Sequence, residues 1–492
     1  MSAEPTAEPT NVEKLSGLPW SIASNAANTV SVQFTFFGSV FILFLSELGL
    51  SKTQMGFLLS LLPFFGLVAL FVAPAVTRFG YKRTYITFFG LRNVTVFFLL
   101  LTPWVLSLYG EQATTIFVGV IVAVFAMFRA VGVTGNFPWI QEYVPDSVRG
   151  KYTATSNVFT TLTGFVAVST AGFVLGRAIG LSGYMLLFVI GAAFGFLSIA
   201  LAAKIPGGAP QPITESSPKR EREIRSALAD RNFVRYLVGA GLITLASVPV
   251  AAFVPLFMQE EVGLSDSNVV LLQSGTLLGA LMFSYVWGWM ADRYGSKPVM
   301  LTGAALVSLL PVFWLAMPRN VYASLYIALG IAFFQGMANM GWGIGSARLL
   351  YVSIVPSAKK SDYMALYFAW IGITGGISQL LGGRVLDWAD QLSGEFYNIT
   401  LDPYIPMFVV ALILPIVSIF VLRRIHVENT VSMGEFAGIF FRGNPFLAMT
   451  SMVRYHLARD EQSTVLMTER LAQSRSPLTV DELLGDITRP PL

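Results

Sequence analysis

The sequence predicts an all-α integral membrane protein, with twelve transmembrane helices arranged as two parallel repeats of six helices. Composition is the first observation behind this prediction. Of the 492 residues, 54% are hydrophobic and only 12% are charged, and the mean hydropathy is +0.65. A soluble globular chain carries roughly twice that fraction of charged residues. The second observation is a series of apolar runs of membrane-spanning length, and the third is an internal repeat.

The apolar runs divide the chain into spans and polar segments. A helix needs about 20 apolar residues to cross about 30 Å of hydrocarbon. Twelve segments meet this requirement, and we number them spans 1 to 12: 20–46, 53–77, 84–108, 114–140, 153–177, 182–203, 233–258, 267–290, 298–317, 321–347, 363–386 and 404–422. One long polar segment separates the first six from the last six. The predicted units are a tail at 1–19, a bundle at 20–203, a linker at 204–231, a second bundle at 232–425 and a helical tail at 426–492.

The internal repeat relates the two halves of the chain. Three matches occur at nearly one offset: "VPDSVRGKYTA" (144–154) with "VPSAKKSDYMA" (355–365), Gly164 and Gly172 with Gly375 and Gly383, and "TRFGYKR" (77–83) with "DRYGSKP" (292–298). Each half has an even number of spans, so the two copies run in the same direction. We therefore predict parallel repeats about an axis along the membrane normal.

The positive charges in the loops predict the orientation. With the N-terminus inside, the inner loops hold most of the Lys and Arg residues: Arg78, Lys82, Arg83, Arg149, Lys151, Lys204, Lys219, Arg220, Arg222, Arg225, Arg231, Arg293, Lys297, Arg348, Lys359 and Lys360. The outer loops hold Lys52, Arg177 and Arg319. Short loops rich in Lys and Arg stay in the cytoplasm. We expect both termini in the cytoplasm and the chain in the plasma membrane.

Composition also excludes several functions. The chain has no cysteine, so disulfides and thiol chemistry are excluded. His426 and His456 are the only histidines, and such a pair gives no metal site at a sensible spacing. The basic residues are scattered over loops and form no face for nucleic acid. We find no catalytic constellation and expect neither an enzyme nor a cofactor. The expected partners are a small solute and the lipid bilayer, and we expect a monomer.

The stretch "WGWMADRYGSKPVM" places charges between spans 8 and 9. Asp292 ends span 8, where a carboxylate can accept hydrogen bonds from a neighbouring helix N-terminus and pair with Arg293 or another Arg. Gly295 permits a tight turn, and Gly288 allows a neighbouring helix to come close. We expect Lys297 to stay at the anionic lipid surface. The cluster is predicted to lock the two halves together on the inner side.

With these features the chain resembles the major facilitator superfamily of secondary transporters, over about residues 20–425. The family's signature loop is written G-x-x-x-D-R-x-G-R-[KR], and the loop after span 8 departs from it at Ser296. The resemblance implies a twelve-helix transporter that works by alternating access. It also implies that this loop stabilises the outward-facing state.

Two further loops carry the resemblance in weaker form. The loop after span 2 has Thr77 in place of the acid and retains the basic and glycine positions Arg78, Gly80 and Lys82. "PDSVRGKY" after span 4, which contains Arg149, matches a recurrent loop of the family. Because only the second copy keeps the acid, the inner gate is predicted to be asymmetric.

Two arginines, Arg129 and Arg92, lie in spans and away from their ends. Arg129 is about halfway through span 4, where a charge costs at least about 2.5–3.5 kcal/mol. Such residues normally face a water-filled cavity, so we predict that Arg129 lines the transport path. The alternative is a structural arginine that bonds backbone carbonyls or snorkels. Arg92 in span 3 is shallower, and we expect it to snorkel.

Uncharged polar residues lie in the spans that line the cavity in the resembled family, which are spans 1, 4, 7 and 10. The predicted substrate-binding residues besides Arg129 are Asn25, Asn28, Gln33, Asn136, Gln335 and Asn339. Together they predict a hydrogen-bonding cavity with one fixed positive charge. The alternative for each amide is a hydrogen bond that holds two helices together.

The interiors of the spans contain no Asp, Glu or Lys. A proton-driven pump usually needs an intramembrane carboxylate, so this absence weakens the drug exporter interpretation. An arginine without a carboxylate favours a polar or anionic solute, moved by facilitated diffusion or exchange. Two alternatives stay open: a transporter-like sensor or scaffold with the C-terminal tail as output, and a lipid or lysolipid transporter with a lateral opening and an apolar cavity wall.

Overall fold

The computed structural model describes residues 9–210, 224–356, 360–391, 395–396, 399–400 and 402–427, together with residues 436, 468, 469, 471 and 473. Helices dominate: α1 (Asn11–Phe34), α2 (Ser39–Glu47), α3 (Lys52–Phe65), α4 (Ala69–Phe79), α5 (Tyr81–Phe98), α6 (Thr102–Tyr143), α7 (Arg149–Leu175), α8 (Ser182–Ala202), α9 (Ile224–Ala229), α10 (Arg231–Glu260), α11 (Asp266–Tyr294), α12 (Ser296–Leu315), α13 (Ser324–Arg348), α14 (Lys360–Asp390) and α15 (Ile405–Leu422). Two antiparallel strands of two residues, β1 (Glu395–Phe396) and β2 (Ile399–Thr400), are the only strands within the described ranges. The predicted all-α membrane fold is confirmed.

The described helices provide the twelve predicted crossings. Eleven continuous helical stretches are long and apolar enough to span a membrane. One of them, Tyr81–Tyr143, has 63 residues, which is about 95 Å at 1.5 Å per residue and about three times the hydrocarbon thickness. Gly110 interrupts this stretch with φ 76° and ψ −176°. The chain therefore turns there and forms spans 3 and 4.

The spans map onto the helices in chain order. Spans 1 to 12 correspond to α1 with α2, α3 with α4, α5 with the first turns of α6, the rest of α6, α7, α8, α10, α11, α12, α13, α14 and α15. Span 2 packs along span 11, and span 5 packs along span 8, so these two pairs join the bundles.

Span 1 differs from the prediction of one continuous helix over 20–46. Helix α1 ends at Phe34 and α2 begins at Ser39. Thr35 has φ −117° and ψ −111°, and Gly38 is extended with φ −117° and ψ −179°. A Cβ at residue 38 would lie 2.8 Å from the Gln33 carbonyl oxygen, so the break requires glycine. The hydropathy of the sequence did not reveal this break, because residues 35–38 are about as apolar as the helices on either side.

Packing of the repeated glycines agrees with the predicted duplication. Gly172 in span 5 faces the start of span 8, where an added Cβ would lie 3.1 Å from the Ser267 carbonyl oxygen. Its counterpart Gly383 in span 11 faces the start of span 2, in contact with Lys52 and Gly56. The same type of close helix contact therefore occurs at both interfaces between the bundles.

The two signature turns also share their geometry. Gly80 has φ 97° and Gly295 has φ 94°, conformations that favour glycine. Lys82 Nζ donates to the Ile205 carbonyl oxygen at the end of span 6 (2.6 Å). Lys297 Nζ donates to the Ile425 carbonyl oxygen after span 12 (2.7 Å). Lys297 is half-buried, and its position at the lipid surface stays a prediction. Each lysine satisfies carbonyl groups at a helix C-terminus, where a cation is favoured.

Parts of the linker and of the C-terminal tail belong to the described residues. The linker contains the short helix α9, and residues 211–223 lie outside the described ranges. Most of the tail predicted at 426–492 also lies outside them. Two tail residues, Phe436 and Leu471, are fully buried in an apolar cluster with Trp287 and Met290 of span 8. The tail thus contacts the turn between spans 8 and 9.

Candidate functional site

A central cavity of about 580 Å³ lies between the two bundles and receives residues from both. Its wall is largely apolar, with Phe36, Leu59 and Leu272 as examples. The polar side chains on the wall are Ser39, Arg129, Thr244, Gln273, Thr276, Gln335, Asn339 and Gln379. A second cavity of about 290 Å³ also touches Gln335 and Asn339. The volume of the central cavity is in the range of small-molecule sites, roughly 300–1,000 Å³.

Arg129 supplies the one charge among the described residues that line the central cavity. Its guanidinium carbon lies 4.7 Å from the centre of the Phe37 ring, within the range of a cation–π contact. Within the described part of the chain, no hydrogen bond or ion pair to Arg129 is seen. This arginine therefore faces the cavity without a counter-charge from the described residues.

The other predicted binding residues fall into two groups. Gln335 and Asn339 line the cavity. Gln33 lies beside it and accepts a hydrogen bond from Gln273 Nε2 of span 8 (2.7 Å), which joins the bundles. The remaining amides, Asn25, Asn28 and Asn136, are half-buried and do not contribute to the wall.

Asn25 and Asn28 make contacts within the N-terminal bundle. Asn25 Nδ2 donates to Ser156 Oγ of span 5 (3.3 Å). Asn28 Oδ1 accepts from the Arg92 guanidinium (2.9 Å). Arg92 is 3% exposed, so the expectation that it snorkels is wrong. Its charge is retained in the bundle by Asn28 and by the Phe89 ring, whose centre is 4.0 Å away.

The lining residues that the sequence analysis did not predict include Gln273, Gln379 and Trp314. Gln273 and Gln379 are amides in apolar spans, and the cost of burying such groups was a signal that could have identified them. Trp314 gave no such signal. Trp314 Nε1 and Gln379 Oε1 have no hydrogen-bond partner among the described residues. One donor and one acceptor that are unpaired among the described residues are therefore buried in side chains that line the cavity.

Polar contacts close the cavity on one side. We call the membrane face with the N-terminus the basic face and the other the opposite face. At the opposite face, Asp387 of span 11 accepts hydrogen bonds from the backbone N–H groups of Lys52 (3.1 Å) and Thr53 (2.8 Å) in span 2. The Lys52 ammonium pairs with Glu260 (2.8 Å), which also accepts a hydrogen bond from Tyr404 (2.7 Å). We call these five residues the gate cluster.

A second set of contacts closes the other interface at the same face. The Tyr184 hydroxyl of span 6 donates to Asp266 of span 8 (2.6 Å), and Gln259 Nε2 donates to the same carboxylate (2.7 Å). Ser267 Oγ donates to the Gly172 carbonyl oxygen of span 5 (2.7 Å). Both interfaces between the bundles are therefore joined at the opposite face.

An ion-pair cluster lies within the C-terminal bundle beside this gate. Arg319 contacts Glu261 (2.9 Å) and Asp402 (2.5 Å). Burial and the charge of Asp402 raise the pKa of Glu261, and Arg319 opposes that shift. The cluster links the loop after span 9 to the C-terminal end of span 7 and to the residues just before span 12.

At the basic face, the signature residues have partners that differ from the prediction. Asp292 forms an ion pair with Arg348 of span 10, so in this conformation it acts within the C-terminal bundle and does not lock the two halves. A Cβ added to Gly288 would meet none of the described atoms within 4 Å, so the predicted close approach of a helix there is wrong. The guanidinium carbon of Arg293 lies 5.4 Å from the centre of the Trp289 ring.

The predicted basic residues of the first half lie near the same face. Arg78 is exposed. Arg149 pairs with Asp146 (2.7 Å), and its guanidinium donates to the Val144 carbonyl oxygen (3.2 Å). These contacts stabilise the turn after span 4 and do not reach the second bundle. The gating roles of these residues stay predictions.

The comparison with known families agrees with this architecture. The sequence model of the Major Facilitator Superfamily matches residues 26–267 and 236–458, which together cover most of the chain. The chain belongs to the Major Facilitator Superfamily. Its family and fold are those of multi-pass membrane transporters.

Individual members of the Major Facilitator Superfamily match over different lengths. The multi-drug resistance efflux pump PmrA of Streptococcus pneumoniae is 30% identical over 161 residues, which are 32% of this chain and 37% of the pump. The match therefore spans little more than a third of the pump's length.

Solved structures of the superfamily match over most of the chain. A D-xylose–proton symporter is 15% identical with a TM-score of 0.62, covering 86% of this chain and 99% of the symporter. A bacterial homologue of the human lysosomal transporter Spinster, inward-facing and unoccupied, is 13% identical with a TM-score of 0.62, covering 87% and 99%. At these identities the similarity shows the fold.

Proposed function

We propose that this chain transports a small polar or anionic solute through the central cavity by alternating access. The observation that carries the proposal is a cavity between two bundles with Arg129 as the one charge on its described wall. A solute carboxylate or phosphate would neutralise that charge away from bulk water, where an ion pair is strongest. The cavity is closed at the opposite face by contacts between side chains and helix ends, which can separate.

The proposed location is the plasma membrane, with both termini in the cytoplasm. The excess of Lys and Arg on the basic face supports this orientation. In that orientation the contacts that join the bundles at the opposite face lie at the outside, and Asp292 pairs with Arg348 within the C-terminal bundle. The proposed partners are the solute and the bilayer, and the proposed state is a monomer.

The decisive experiment begins with the purified full-length protein. A thermal-shift screen against a metabolite library identifies ligands, because only a molecule that binds the folded state stabilises it. Uptake of the identified compound into proteoliposomes then tests transport. A compound that stabilises the protein but never crosses the membrane would contradict transport and favour the sensor or scaffold alternative.

The substitution Arg129→Gln tests the role of the charge. We expect it to abolish uptake of an anionic substrate, since the remaining wall offers only neutral groups. Arg177→Gln is the matched control, because Arg177 also stacks on a phenylalanine (3.7 Å from the Phe173 ring centre) but lies outside the cavity. Unchanged uptake in Arg129→Gln would show that the charge does not serve the substrate.

A drug exporter is the second candidate, because the partial match to PmrA supports it. Cationic drugs are disfavoured by Arg129 and by the lack of a carboxylate on the described wall. The largely apolar wall also keeps the lipid or lysolipid alternative open. Export of a cationic or uncharged compound that is insensitive to Arg129→Gln would favour these candidates over the polar or anionic solute.

A further inference from the structure

The break in span 1 opens onto the central cavity. The chain leaves α1 after Phe34 and starts α2 at Ser39, and the residues Phe36, Phe37, Gly38 and Ser39 all line the cavity. Helix α2 has nine residues and ends at Glu47 near the opposite face. Its N-terminus therefore lies inside the protein at about the middle of the membrane and faces the same space as Arg129.

The first turn of α2 has no side-chain cap. The first N–H groups of a helix have no intrahelical acceptor, and Ser, Thr, Asp or Asn at the N-cap normally accepts from them. Gly38 holds that position and makes no such bond. A larger residue has no space there, because its Cβ would lie 2.8 Å from the Gln33 carbonyl oxygen. Among the described residues, the N–H groups of Ser39 and Val40 thus lack the acceptor that a helix start usually has.

A second observation, independent of the helix, is an unsatisfied donor in a side chain that lines the same cavity. Trp314 lines the same cavity and is 1% exposed, and its Nε1 has no hydrogen-bond partner among the described residues. A buried donor without a partner is costly. An acceptor brought by a ligand would satisfy it.

Arg129 adds the charge at the same place. Its guanidinium lies over Phe37, one residue before Gly38. A helix N-terminus carries about half a positive elementary charge, so the break and Arg129 attract the same group. Half-helix N-termini at mid-membrane are suited to bind anionic parts of a solute. The rest of the wall, including Leu59 and Leu272, is apolar and suits a hydrocarbon or aromatic body.

We propose that the break in span 1 binds the carboxylate of an amphipathic organic anion, with Arg129 as its counter-charge and the apolar wall around its body. This inference rests on the proposed function, because it specifies the solute class of the same cavity. It assigns a role to backbone N–H groups, which no side-chain pattern in the sequence reveals.

The test compares acids with their uncharged isosteres. Binding of 4-phenylbutyrate, 2-naphthoate and their primary amides to the full-length protein in nanodiscs is measured by calorimetry. We expect each acid to bind at least about tenfold more tightly than its amide, since hydrogen bonds to charged groups contribute about 1.5–3 kcal/mol. Equal binding of acids and amides, or no binding of either acid, would overturn the proposal.

Two substitutions at one position isolate the backbone donor. Ser39→Pro removes the N–H at the first helical position, where proline fits, and the extended Gly38 before it is compatible with proline. Ser39→Ala removes only the hydroxyl. The acids are expected to bind Ser39→Pro about tenfold more weakly than Ser39→Ala, with no such difference for the amides. Equal acid binding by the two folded variants would contradict a role for the N–H group.

Arg129→Gln and Arg129→Lys keep the proposal testable if Ser39→Pro does not fold. Lysine retains the charge, so acid binding is expected to fall more in Arg129→Gln than in Arg129→Lys. Proteoliposome uptake separates this inference from the proposed function. Flux of amides equal to that of acids would leave transport standing and remove the carboxylate site, whereas tight acid binding without flux would retain the site and remove transport.

Discussion

Two arginines in neighbouring spans have different surroundings. Arg92 is buried inside the N-terminal bundle and bonds Asn28. Arg129 lines the cavity between the bundles and stacks on Phe37. The sequence placed both within spans, but their depth alone did not distinguish a structural arginine from one that faces a cavity. Rotation of each helix about its axis decides the role, and hydropathy does not fix that rotation.

The contact between Asn28 and Arg92 gives a prediction at the residue scale. Asn28→Ala removes an acceptor of a buried guanidinium and should destabilise the fold by about 1.5–3 kcal/mol, as expected for a hydrogen bond to a charged group. Asn25→Ala is the matched control, because its bond to Ser156 joins two neutral, part-buried groups and should cost less, about 0.5–1.5 kcal/mol. Thermal unfolding of the purified variants measures both. An Asn28→Ala protein of unchanged stability but lost transport would restore Asn28 to the substrate site.

At the element scale, the gate cluster joins the start of span 2 to spans 7 and 11. Asp387→Asn removes the negative charge of the carboxylate that accepts hydrogen bonds from two backbone N–H groups. We expect the contacts at the opposite face to lose about 1.4 kcal/mol of free energy. That loss would raise the population of the open state about tenfold. The chain has no cysteine, so a single Thr276→Cys on the cavity wall reports this opening by its rate of reaction with an impermeant maleimide added at the opposite face.

Asp146→Asn is the control for the gate prediction. Asp146 forms an exposed ion pair with Arg149 at the basic face, and such pairs contribute little. Its substitution should leave the labelling rate of Thr276→Cys unchanged. If Asp387→Asn labels no faster than the control, the gate cluster does not hold the opposite face closed.

The turn between spans 8 and 9 gives a second prediction for an element. Asp292 has an ion-pair partner in Arg348, whereas the equivalent position in the first half is Thr77, which carries no charge. Asp292→Asn should therefore reduce the transport rate more than any single substitution in 77–83. Initial rates of uptake into proteoliposomes measure the ranking. A larger effect from Arg78 or Lys82 would show that the first turn is the stronger gate.

The elements differ in how far their sequence specifies them. The spans were predictable because about 20 apolar residues with basic loops have few other solutions. The break in span 1 was not, since Phe36 and Phe37 keep the run apolar. In the cavity, Arg129 was predicted from its cost in lipid, and Gln335 and Asn339 were predicted because span 10 lines the cavity in the resembled family. The Trp314 donor and the free N–H groups of α2 depend on tertiary geometry and leave no pattern in the sequence.

At the scale of the whole molecule, the role of the C-terminal tail distinguishes a transporter from a transporter-like sensor or scaffold. Deletion of 426–492 removes Phe436 and Leu471, which are buried against span 8. A transporter should retain flux, because the cavity lies in the bundles. Its melting temperature should fall, since exposed apolar area costs about 25 cal/mol per Å². Proteoliposome flux and thermal unfolding measure the two effects.

The double substitution Phe436→Ala with Leu471→Ala is the control for the deletion. It loses the same apolar contacts but keeps the rest of the tail. If the deletion stops flux and the double substitution does not, the tail contributes more than packing, as the sensor or scaffold alternative requires.

The paired lysine bonds have a consequence for the history of the chain. Lys82 and Lys297 each bond the carbonyl groups that follow the last span of their own six-helix unit. Their neighbours have diverged, since the position of Asp292 in the second copy is Thr77 in the first. A bond that closes each unit on itself, and that both copies share, is most simply inherited from a single six-helix ancestor. That ancestor would have been held together in this way before the duplication, whereas only one of the two halves keeps the acid at the turn.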